Sequence, residues 1–517
     1  MFFEVIPTEV YRNGGGALTY SSDQKLLPGH IVLIPLGRRT VLGIVLRQVQ
    51  SVDFPTKPIA RLLHPLPLPT HLLKSALWLS KYYLSPLPMT TELMIPAGLA
   101  ARTAFKTSRL VAYEPKTAKR HTTKQPTTNA SSGSKNAQAV KTSSENAQKS
   151  LKLPLIPLNT AQKTALQSLQ EAPGPTRLLR GVTGSGKTNI YLKLAADTLE
   201  QQKSVILLVP EIALTSQLVQ IFEQTFGERV LLIHSAQTMA ERRRIWLQIL
   251  ENTIPQVIIG PRSAPLNNLG LIIIDEAHES AYYQENSPRY AATRLASFMA
   301  SSLKIPCILG TATPNLTDYY LAKTKNTLTE LSAKAKTTAL DPKICIVDFK
   351  DRPSFGRNRY FSNQLLTKIK DNIQAKHQTL IFHNRRGSAP LTICEECGWQ
   401  ALCPECYLPM ILHANTYTLS CHVCGHSEKV PSSCPNCHHP GIIHKGFGTQ
   451  LLESELAGLF PNAKIARFDG DNKKTDDLAS LYQEVKSGAI DILIGTQTLA
   501  RGLDLPHLAT VGIVQAD

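Results

Sequence analysis

The stretch that most constrains the fold is an octapeptide, Gly-Val-Thr-Gly-Ser-Gly-Lys-Thr, which runs from Gly181 to Thr188. It matches in full the phosphate-binding loop pattern, in which glycines let backbone N–H groups turn towards phosphate oxygens. A short strand is predicted before it, over 176–180, and a helix after it, over 189–200. This order predicts a phosphate site, because the helix N-terminus adds the positive end of its dipole. A glycine-rich turn that binds nothing is the weaker interpretation.

Two side chains at the end of this loop carry the chemistry. Lys187 is placed to reach the β- and γ-phosphates of a bound nucleotide, and the Thr188 hydroxyl is placed to bind Mg²⁺. The residues expected to form this ATP site are Gly181, Val182, Thr183, Gly184, Ser185, Gly186, Lys187 and Thr188.

A second motif follows an apolar strand predicted over 271–274. Asp275 and Glu276 come directly after this strand, at the carboxyl edge where parallel α/β sheets bind ligands. Asp275 can hold Mg²⁺, and Glu276 can activate the attacking water. Such an acidic pair is weak evidence alone. With a phosphate loop upstream in the same domain, it predicts that Lys187, Thr188, Asp275 and Glu276 are the catalytic residues.

Apolar strands alternate with helical segments through residues 154–340 and again through 341–517. This alternation is typical of parallel sheets covered on both faces, so we predict an α/β protein with two lobes. The expected strands are 176–180, 204–209, 256–259, 271–274 and 306–309 in the first lobe and 378–383, 463–467, 491–494 and 510–514 in the second.

Eight of the ten cysteines lie in an insertion of the second lobe, over 392–440. They form four C-x-x-C pairs, and two such pairs hold one tetrahedral Zn²⁺. The 14 residues between Cys406 and Cys421 suit a hairpin that joins the inner pairs. We therefore expect two zinc ions. Their expected ligands are Cys394, Cys397, Cys434 and Cys437 in one site and Cys403, Cys406, Cys421 and Cys424 in the other.

Two other interpretations of the cysteines are less favourable. Iron–sulfur clusters usually take single cysteines from several positions rather than four regular pairs. Disulfides are a poor alternative in a reducing compartment. The two remaining cysteines, Cys307 and Cys345, lie in apolar stretches and are predicted to be core residues.

The charge balance limits the kind of partner. The 517 residues include 56 Lys and Arg against 39 Asp and Glu, a formal net charge of +17. This favours an anionic partner such as nucleic acid, although a basic surface can also serve solubility alone. The sequence shows neither a long apolar run nor a cationic leader, so we expect no membrane span and no signal peptide.

Composition divides the rest of the chain. Residues 1–112 are predicted to form a small β-rich domain with a basic hairpin near Gly37 and a helix over 70–84. Residues 113–153 are rich in Lys, Thr, Ser, Ala, Asn and Gln. Since they cannot bury enough apolar surface to offset the entropy of ordering, we expect a flexible basic linker there.

These motifs together resemble one family, the bacterial replication-restart helicases called primosomal protein N′ or PriA, in helicase superfamily 2. The resemblance covers 1–112 moderately and 154–517 well. It implies two RecA-like lobes, a zinc-binding insertion in the second lobe and an N-terminal domain that binds the 3′ end of a DNA strand. The stretches that carry it are Gly181–Thr188, Asp275–His278, Glu279–Tyr290, Asn384–Gly387, the eight-cysteine insertion, Lys445–Gln450 and Gly495–Asp504.

The resemblance also implies a function. It implies a cytoplasmic, ATP-dependent 3′→5′ DNA helicase that recognises stalled or forked DNA and starts primosome assembly. The implied cofactors are ATP, Mg²⁺ and two Zn²⁺. The implied partners are forked and single-stranded DNA, a helicase loader of the primosome and single-stranded-DNA-binding protein.

Further residues acquire roles from the same resemblance. Gln162 matches the family's adenine-reading glutamine. An aromatic-rich loop is expected to couple DNA contact to ATP hydrolysis, because aromatic rings stack on bases and arginine pairs with phosphate. The residues implied in DNA binding are Tyr20, Gly37 and Lys57 in the N-terminal domain and Tyr282, Tyr283, Arg289 and Tyr290 in that loop.

The sequence departs from the family pattern in three places. Thr19 stands where some relatives have an aspartate, and the linker occupies the place of a winged-helix domain expected near 113–155. The family's catalytic arginines are expected beyond Asp517. We therefore expect these 517 residues alone to hydrolyse ATP roughly 10³-fold more slowly than an intact relative, since an arginine finger contributes at least that much.

Two other functions remain open. A fork-binding scaffold without helicase activity would dock partners and show no DNA-stimulated ATP hydrolysis. An RNA helicase would respond to duplex RNA rather than to forked DNA.

Overall fold

The computed structural model describes residues 1–9, 16–96, 99, 157–182, 184–210, 217–234, 237–260, 268–332, 343–348, 351–358, 360–383, 391–413, 416–421, 424–445, 449–468, 484–495 and 505–514. The chain forms two compact units, residues 1–214 with 218–339 and residues 215–217 with 340–517. The expected linker, Thr183, 384–387 and 496–504 lie outside the described residues.

The first unit begins with a small β-rich domain. Its elements are β1 Phe2–Pro7, β2 Leu18–Ser21, β3 Ile31–Leu36, β4 Arg39–Val49, β5 Lys57–Pro58, β6 Arg61–Leu62, α1 Thr70–Tyr82 and α2 Leu87–Glu92. The strands form one sheet in the order β5-β2-β1-β4-β3-β6. The predicted basic hairpin is β3–β4, and Gly37 adopts a φ of 61° in its turn. The N-terminal β-rich domain of the predicted fold is therefore confirmed.

The same unit continues into a parallel α/β lobe. Its elements are α3 Thr160–Glu171, β7 Thr176–Gly181, α4 Lys187–Glu200, β8 Ser204–Leu208, α5 Gln217–Phe226, β9 Val230–Leu232, α6 Met239–Glu251, β10 Val257–Gly260, β11 Leu269–Ile274, β12 Tyr283–Gln284, β13 Tyr290–Ala291, α7 Ala292–Leu303, β14 Cys307–Thr311, α8 Leu316–Thr324 and β15 Leu328–Leu331. Seven strands form a sheet in the order β15-β7-β14-β11-β8-β10-β9. All neighbours in it are parallel.

Local sequence explains these elements. β8, β11 and β14 are buried along their whole length, as expected for strands covered on both faces. Asn159 and Gln162 form a capping box at the start of α3, and Thr238 and Glu241 form one at the start of α6. Each box satisfies backbone N–H groups that a helix N-terminus leaves without partners.

The N-terminal domain packs directly on the α/β lobe, across the linker that separates them in sequence. Trp78 of α1 stacks on Phe298 of α7 with ring centroids 4.6 Å apart, and Tyr82 stacks on the other side of Trp78 at 4.7 Å. The Ala291 backbone N–H donates to the Tyr83 hydroxyl over 3.2 Å. Buried residues of both parts form one continuous apolar core.

The second unit contains a parallel sheet and an antiparallel one. Its elements are α9 Asn363–Gln374, β16 Gln378–Phe382, β17 Leu391–Cys394, β18 Ile411–His413, β19 Thr418–Ser420, β20 Ser427–Lys429, β21 Ile442–Lys445, α10 Thr449–Leu459, β22 Ile465–Phe468, β23 Ile492–Gly495 and β24 Leu508–Ile513. The parallel sheet has the order β22-β23-β16-β24, and the cysteine-rich sheet has the order β20-β19-β18-β17-β21. The predicted α/β fold with a cysteine-rich insertion is thus confirmed.

One core prediction is wrong. Cys307 is fully buried in β14, but Cys345 is exposed. Its neighbours Ile344 and Ile346 are 82% and 91% exposed. Residues 343–348 form no helix or strand, so this apolar stretch has no sheet to bury it.

The structure also bears on membrane insertion. None of the helices within the described ranges is long and apolar enough to span a bilayer.

Candidate functional site

β7 leads into the phosphate loop, and α4 begins at its end. Gly184 and Gly186 adopt φ of 77° and 80°, in the left-handed region that glycine enters without steric cost. Gly186 is also the N-cap of α4. The Ser185 side chain is buried, and its hydroxyl has no hydrogen-bond partner within the described residues. A buried polar atom without a partner costs free energy, which a bound phosphate group would relieve.

Lys187 lies between this loop and the acidic pair. Its Nζ donates to the Gly181 carbonyl over 3.0 Å and lies 3.8 Å from Glu276 Oε1. Its side chain is only 11% exposed. A largely buried ammonium group held by one carbonyl and a distant carboxylate is well placed to exchange these partners for phosphate oxygens.

Asp275 and Glu276 follow β11 at the same edge of the sheet. The Asp275 N–H donates to the Leu208 carbonyl of β8 over 3.0 Å. Glu276 adopts a φ of 47°, an uncommon conformation for a residue other than glycine and one that recurs at functional sites. Burial, and secondly the charge of Glu276, raises the pKa of Asp275 to about 6. The structure thus brings Lys187 close to both predicted acids.

His278 connects the turn after β11 to the neighbouring strand β14. Its Nδ1 lies 2.7 Å from the Thr311 hydroxyl at the end of β14. The same nitrogen is 3.5 Å from a Glu276 carboxylate oxygen, and Nε2 is 3.8 Å from Glu279. His278 therefore links the turn after β11 to the end of β14.

Gln162 is turned towards the protein. It is 2% exposed, its Oε1 accepts from Asn159 N, and its Nε2 donates to the Ser185 carbonyl over 3.1 Å. In this state the Gln162 side chain joins the start of α3 to the phosphate loop through hydrogen bonds. Direct reading of adenine, which the resemblance implies, requires these hydrogen bonds to be exchanged.

A cavity of about 350 Å³ lies close to Gln162. It is bounded by α3 and by the first turns of α4. The lining residues are Pro157, Leu158, Lys163, Leu166, Asn189, Leu192 and Lys193. Its apolar walls and nearness to the phosphate loop suit a nucleotide base.

Sequence reasoning missed Tyr191, which lies on α4 one turn after Lys187. The side chain is fully buried, and its hydroxyl donates to Asp275 Oδ1 over 3.1 Å. The only signal in the sequence was a tyrosine among the apolar positions of the helix.

The aromatic-rich loop holds two of its predicted DNA-binding tyrosines inside the protein. Tyr282 and Tyr290 are 4% and 3% exposed, so their rings present little surface for stacking on bases in this structure, and their role in DNA binding stays a prediction. The Tyr282 hydroxyl instead lies 2.6 Å from the Asp275 carbonyl oxygen and 3.0 Å from that of Leu208, and the two carbonyls share its one proton. Tyr283, 53% exposed, and the exposed Arg289 remain accessible to a ligand.

The three N-terminal residues expected to bind DNA lie near one end of the sheet. Tyr20 and Lys57 are paired across β2 and β5. The Tyr20 hydroxyl donates to the Pro35 carbonyl over 3.0 Å, close to the turn that contains Gly37. Tyr20 is 4% exposed, so its ring is buried and is not available for stacking.

The structure gathers the eight cysteines into the two sets expected from their spacing. Within each set the sulfur atoms all lie within 4.8 Å of one another. Cys394 and Cys437, and likewise Cys403 and Cys424, have sulfurs 3.5 Å apart. Four Zn–S bonds of about 2.3 Å in a tetrahedron place the sulfurs about 3.8 Å apart. The donor set and its geometry therefore fit zinc.

All four C-x-x-C pairs fold into the same turn. The N–H of the first cysteine donates to the carbonyl five residues later, and the N–H four residues later donates back to the cysteine carbonyl. The residue at that fourth position has a positive φ in every case. These left-handed residues are Gly398, Tyr407, Gly425 and His438.

Three family models match separate parts of the chain. Residues 10–96 match the family model of the 3′DNA-binding domain of PriA, described as 3′BD. Residues 159–320 match the DEAD/DEAH box helicase model, and residues 444–517 match the helicase conserved C-terminal domain model. A solved structure, the DUF1998 helicase MrfA bound to DNA, is similar over 69% of this chain and 44% of its own, with 15% identity and a TM-score of 0.41.

Relatives that match long stretches of the chain identify the family. Replication restart protein PriA of Bacillus subtilis is 38% identical over 374 residues, which are 70% of this chain and 46% of that protein. The chain thus spans about half the length of this relative. Replication restart protein PriA of Rickettsia conorii is 33% identical over 503 residues, 96% of this chain and 71% of that protein. The chain therefore belongs to the family of replication restart protein PriA.

Proposed function

We propose that this protein is an ATP-dependent 3′→5′ DNA helicase that recognises forked DNA and starts primosome assembly in the cytoplasm. The observation that carries the proposal is the group formed by Lys187, Asp275 and Glu276. The Lys187 ammonium group lies 3.8 Å from the Glu276 carboxylate, and the buried Asp275 lies next to Glu276. Both acids are at the carboxyl edge of the parallel sheet, beside the phosphate loop. This arrangement suits nucleotide hydrolysis.

Each residue has a specific task in the proposed reaction. The loop from Gly181 to Thr188 holds the phosphates through its backbone N–H groups, and Lys187 exchanges the Gly181 carbonyl for phosphate oxygens. Glu276 orients and activates the attacking water. The Asp275 carboxylate and the Thr188 hydroxyl are oxygen donors of the kind that Mg²⁺ prefers. Bound Mg²⁺ neutralises charge on the phosphates.

DNA binding is assigned to other parts of the first unit. Among the residues predicted to bind DNA, Tyr283, Arg289 and Lys57 have exposed side chains that can contact bases and phosphates. The match to the 3′DNA-binding domain model supports a DNA-end site at residues 10–96. We further propose two structural Zn²⁺ in the cysteine-rich module, and a helicase loader and single-stranded-DNA-binding protein as partners.

Strand polarity provides the test of this function. The intact protein is incubated with ATP and partial duplexes that carry either a 3′ or a 5′ single-stranded tail, and with a forked duplex. We expect ATP-dependent unwinding of the fork and of the 3′-tailed duplex. Binding of forked DNA without unwinding would support a scaffold instead, and preferential unwinding of duplex RNA would support an RNA helicase.

A further inference from the structure

Tyr191 is buried at the nucleotide site, yet the phosphate loop and the acidic pair do not account for it. It belongs to α4, one turn after Lys187, and its hydroxyl donates to Asp275 Oδ1 over 3.1 Å. A buried hydroxyl is costly unless it has a hydrogen-bond partner. A tyrosine at this position is therefore best explained by the contact that it makes with Asp275.

The space for this hydroxyl is created by a missing side chain. A Cβ atom added at Gly310 of β14 would lie 1.6 Å from Tyr191 Oη. The Gly310 carbonyl also accepts from the Ala277 N–H over 3.0 Å. The helix after the phosphate loop, the acidic turn and β14 therefore meet around the Tyr191 hydroxyl.

The direction of the hydrogen bond follows from the chemistry of the two groups. A tyrosine hydroxyl carries its proton at neutral pH, since its usual pKa is about 10, whereas an ionised carboxylate can only accept. The hydroxyl therefore keeps its proton and donates, and Asp275 Oδ1 accepts. The Tyr191 side chain is 0% exposed, so the bond pulls Oδ1 towards the interior of the lobe.

We propose that Tyr191 is a positioning residue, which holds Asp275 Oδ1 inwards so that Oδ2 is presented to the Mg²⁺ of Mg–ATP. The inference rests on the proposed function, in which Asp275 binds that ion. Removal of the hydroxyl leaves the carboxylate without its fixed partner. Loss of an outer-shell partner of a metal ligand typically costs about 10–100-fold in metal affinity.

The test measures Mg²⁺ dependence without relying on hydrolysis. Binding of a fluorescent ATP analogue to the intact protein is followed by anisotropy while Mg²⁺ is titrated, for the parent and for Tyr191→Phe. The Mg²⁺ concentration for half-maximal binding is expected to rise about tenfold or more in Tyr191→Phe. Maximal binding at saturating Mg²⁺ is expected to change little, because the phosphate loop is intact.

Thr198→Val is the matched control. Thr198 lies on the same helix, and its hydroxyl donates to the Leu194 carbonyl over 2.7 Å, away from the nucleotide site. Loss of this hydroxyl should leave the Mg²⁺ titration unchanged. A merely structural effect of losing a hydroxyl from α4 would shift both variants alike and would overturn the inference.

Gly310→Ala tests the same contact from the other side. The added methyl group displaces the Tyr191 hydroxyl, so this variant should also require more Mg²⁺. In the double variant with Tyr191→Phe the two effects should not add, because both remove the same interaction.

If the parent shows no Mg²⁺-dependent nucleotide binding, the proposed function fails and the inference fails with it. If the parent binds and Tyr191→Phe responds to the same Mg²⁺ concentrations, the inference alone is overturned.

Discussion

At the residue scale, Asp275 is a functional group whose burial as a charged carboxylate lowers the free energy of unfolding. Its surroundings raise its pKa from 3.8 to about 6, chiefly through burial. A folded-state pKa above the unfolded value means that the folded protein holds this proton more tightly. The contribution of Asp275 to stability therefore falls as pH rises from about 4 through about 6.

Asp275→Asn should accordingly stabilise the protein at neutral pH. In a sample free of nucleotide and Mg²⁺ at pH 7.5, the free energy of unfolding should rise by roughly 1–3 kcal/mol, since one pKa unit corresponds to about 1.4 kcal/mol. At pH near 4 the parental carboxyl is already protonated, so the two proteins should unfold alike. Urea unfolding at the two pH values measures this. An equal stability difference at both pH values would show that the buried charge of Asp275 is not what lowers stability.

The sequence reveals these residues unequally. The phosphate loop and the acidic pair are identified by local pattern because their chemistry requires fixed spacing. The contacts of Tyr191 and Tyr282 cannot be predicted in this way, since they depend on which atoms the tertiary fold places about 3 Å from the two hydroxyls. Tyr282 matched an aromatic-rich motif, yet the fold uses its hydroxyl to join β8 and β11.

The repeated cysteine turn is the informative feature at the element scale. Its fourth position after the first cysteine is left-handed in all four copies. Glycine occupies it at Gly398 and Gly425, whereas Tyr407 and His438 hold it in the other two copies. The C-x-x-C spacing alone predicts the pairing of the cysteines, but it does not predict which residue takes the strained conformation.

Gly425→Ala should destabilise its metal site. Residues with a Cβ pay roughly 1–2 kcal/mol in the left-handed conformation, and Gly425 has a φ of 80°. Zinc should therefore dissociate more readily from the inner site, at chelator concentrations about tenfold or more below those needed by the parent. Tyr407→Gly, which relieves the same strain in the partner turn, is the control and should retain zinc at least as well as the parent.

The nesting of the cysteine pairs has its own test. A Cys403→Ser, Cys421→Ser double variant removes ligands from one site and should lose one of two zinc ions. A Cys394→Ser, Cys403→Ser double variant removes a ligand from each site and should lose both, because structural zinc binding is coupled to folding. Elemental analysis of the purified proteins counts the ions. Equal losses in the two variants, or iron in place of zinc, would reject the assignment.

At the scale of the whole molecule, the first unit joins two parts that the sequence separates by a long polar stretch. Composition predicts a tether between the N-terminal domain and the first lobe. It does not predict that α1 packs on α7, because an aromatic stack such as Trp78 on Phe298 is a tertiary contact between residues far apart in the chain. The parallel lobes themselves follow from the alternation of apolar strands and helices.

Trp78→Ala should weaken the packing of α1 on α7. The stack on Phe298 is lost, and with it part of the support for the hydrogen bond between Tyr83 and Ala291. Amide hydrogen exchange should become faster in α1, α7 and the β12–β13 hairpin. Tyr82→Ala, which removes the 60% exposed outer ring of the stack, should leave exchange in α7 nearly unchanged. Unaltered exchange in α7 of Trp78→Ala would contradict the docking.

The most direct test of the central claim is DNA-stimulated ATP hydrolysis by the intact protein. Steady-state ATPase is measured with and without forked DNA for the parent, Lys187→Ala and Glu276→Gln, with DNA binding measured in parallel. We predict strong stimulation of the parent by forked DNA and loss of hydrolysis in both variants, with DNA binding largely retained and Glu276→Gln holding ATP unhydrolysed. Hydrolysis by Lys187→Ala at the parental rate, or a parent that binds forked DNA without any ATPase response, would contradict the claim.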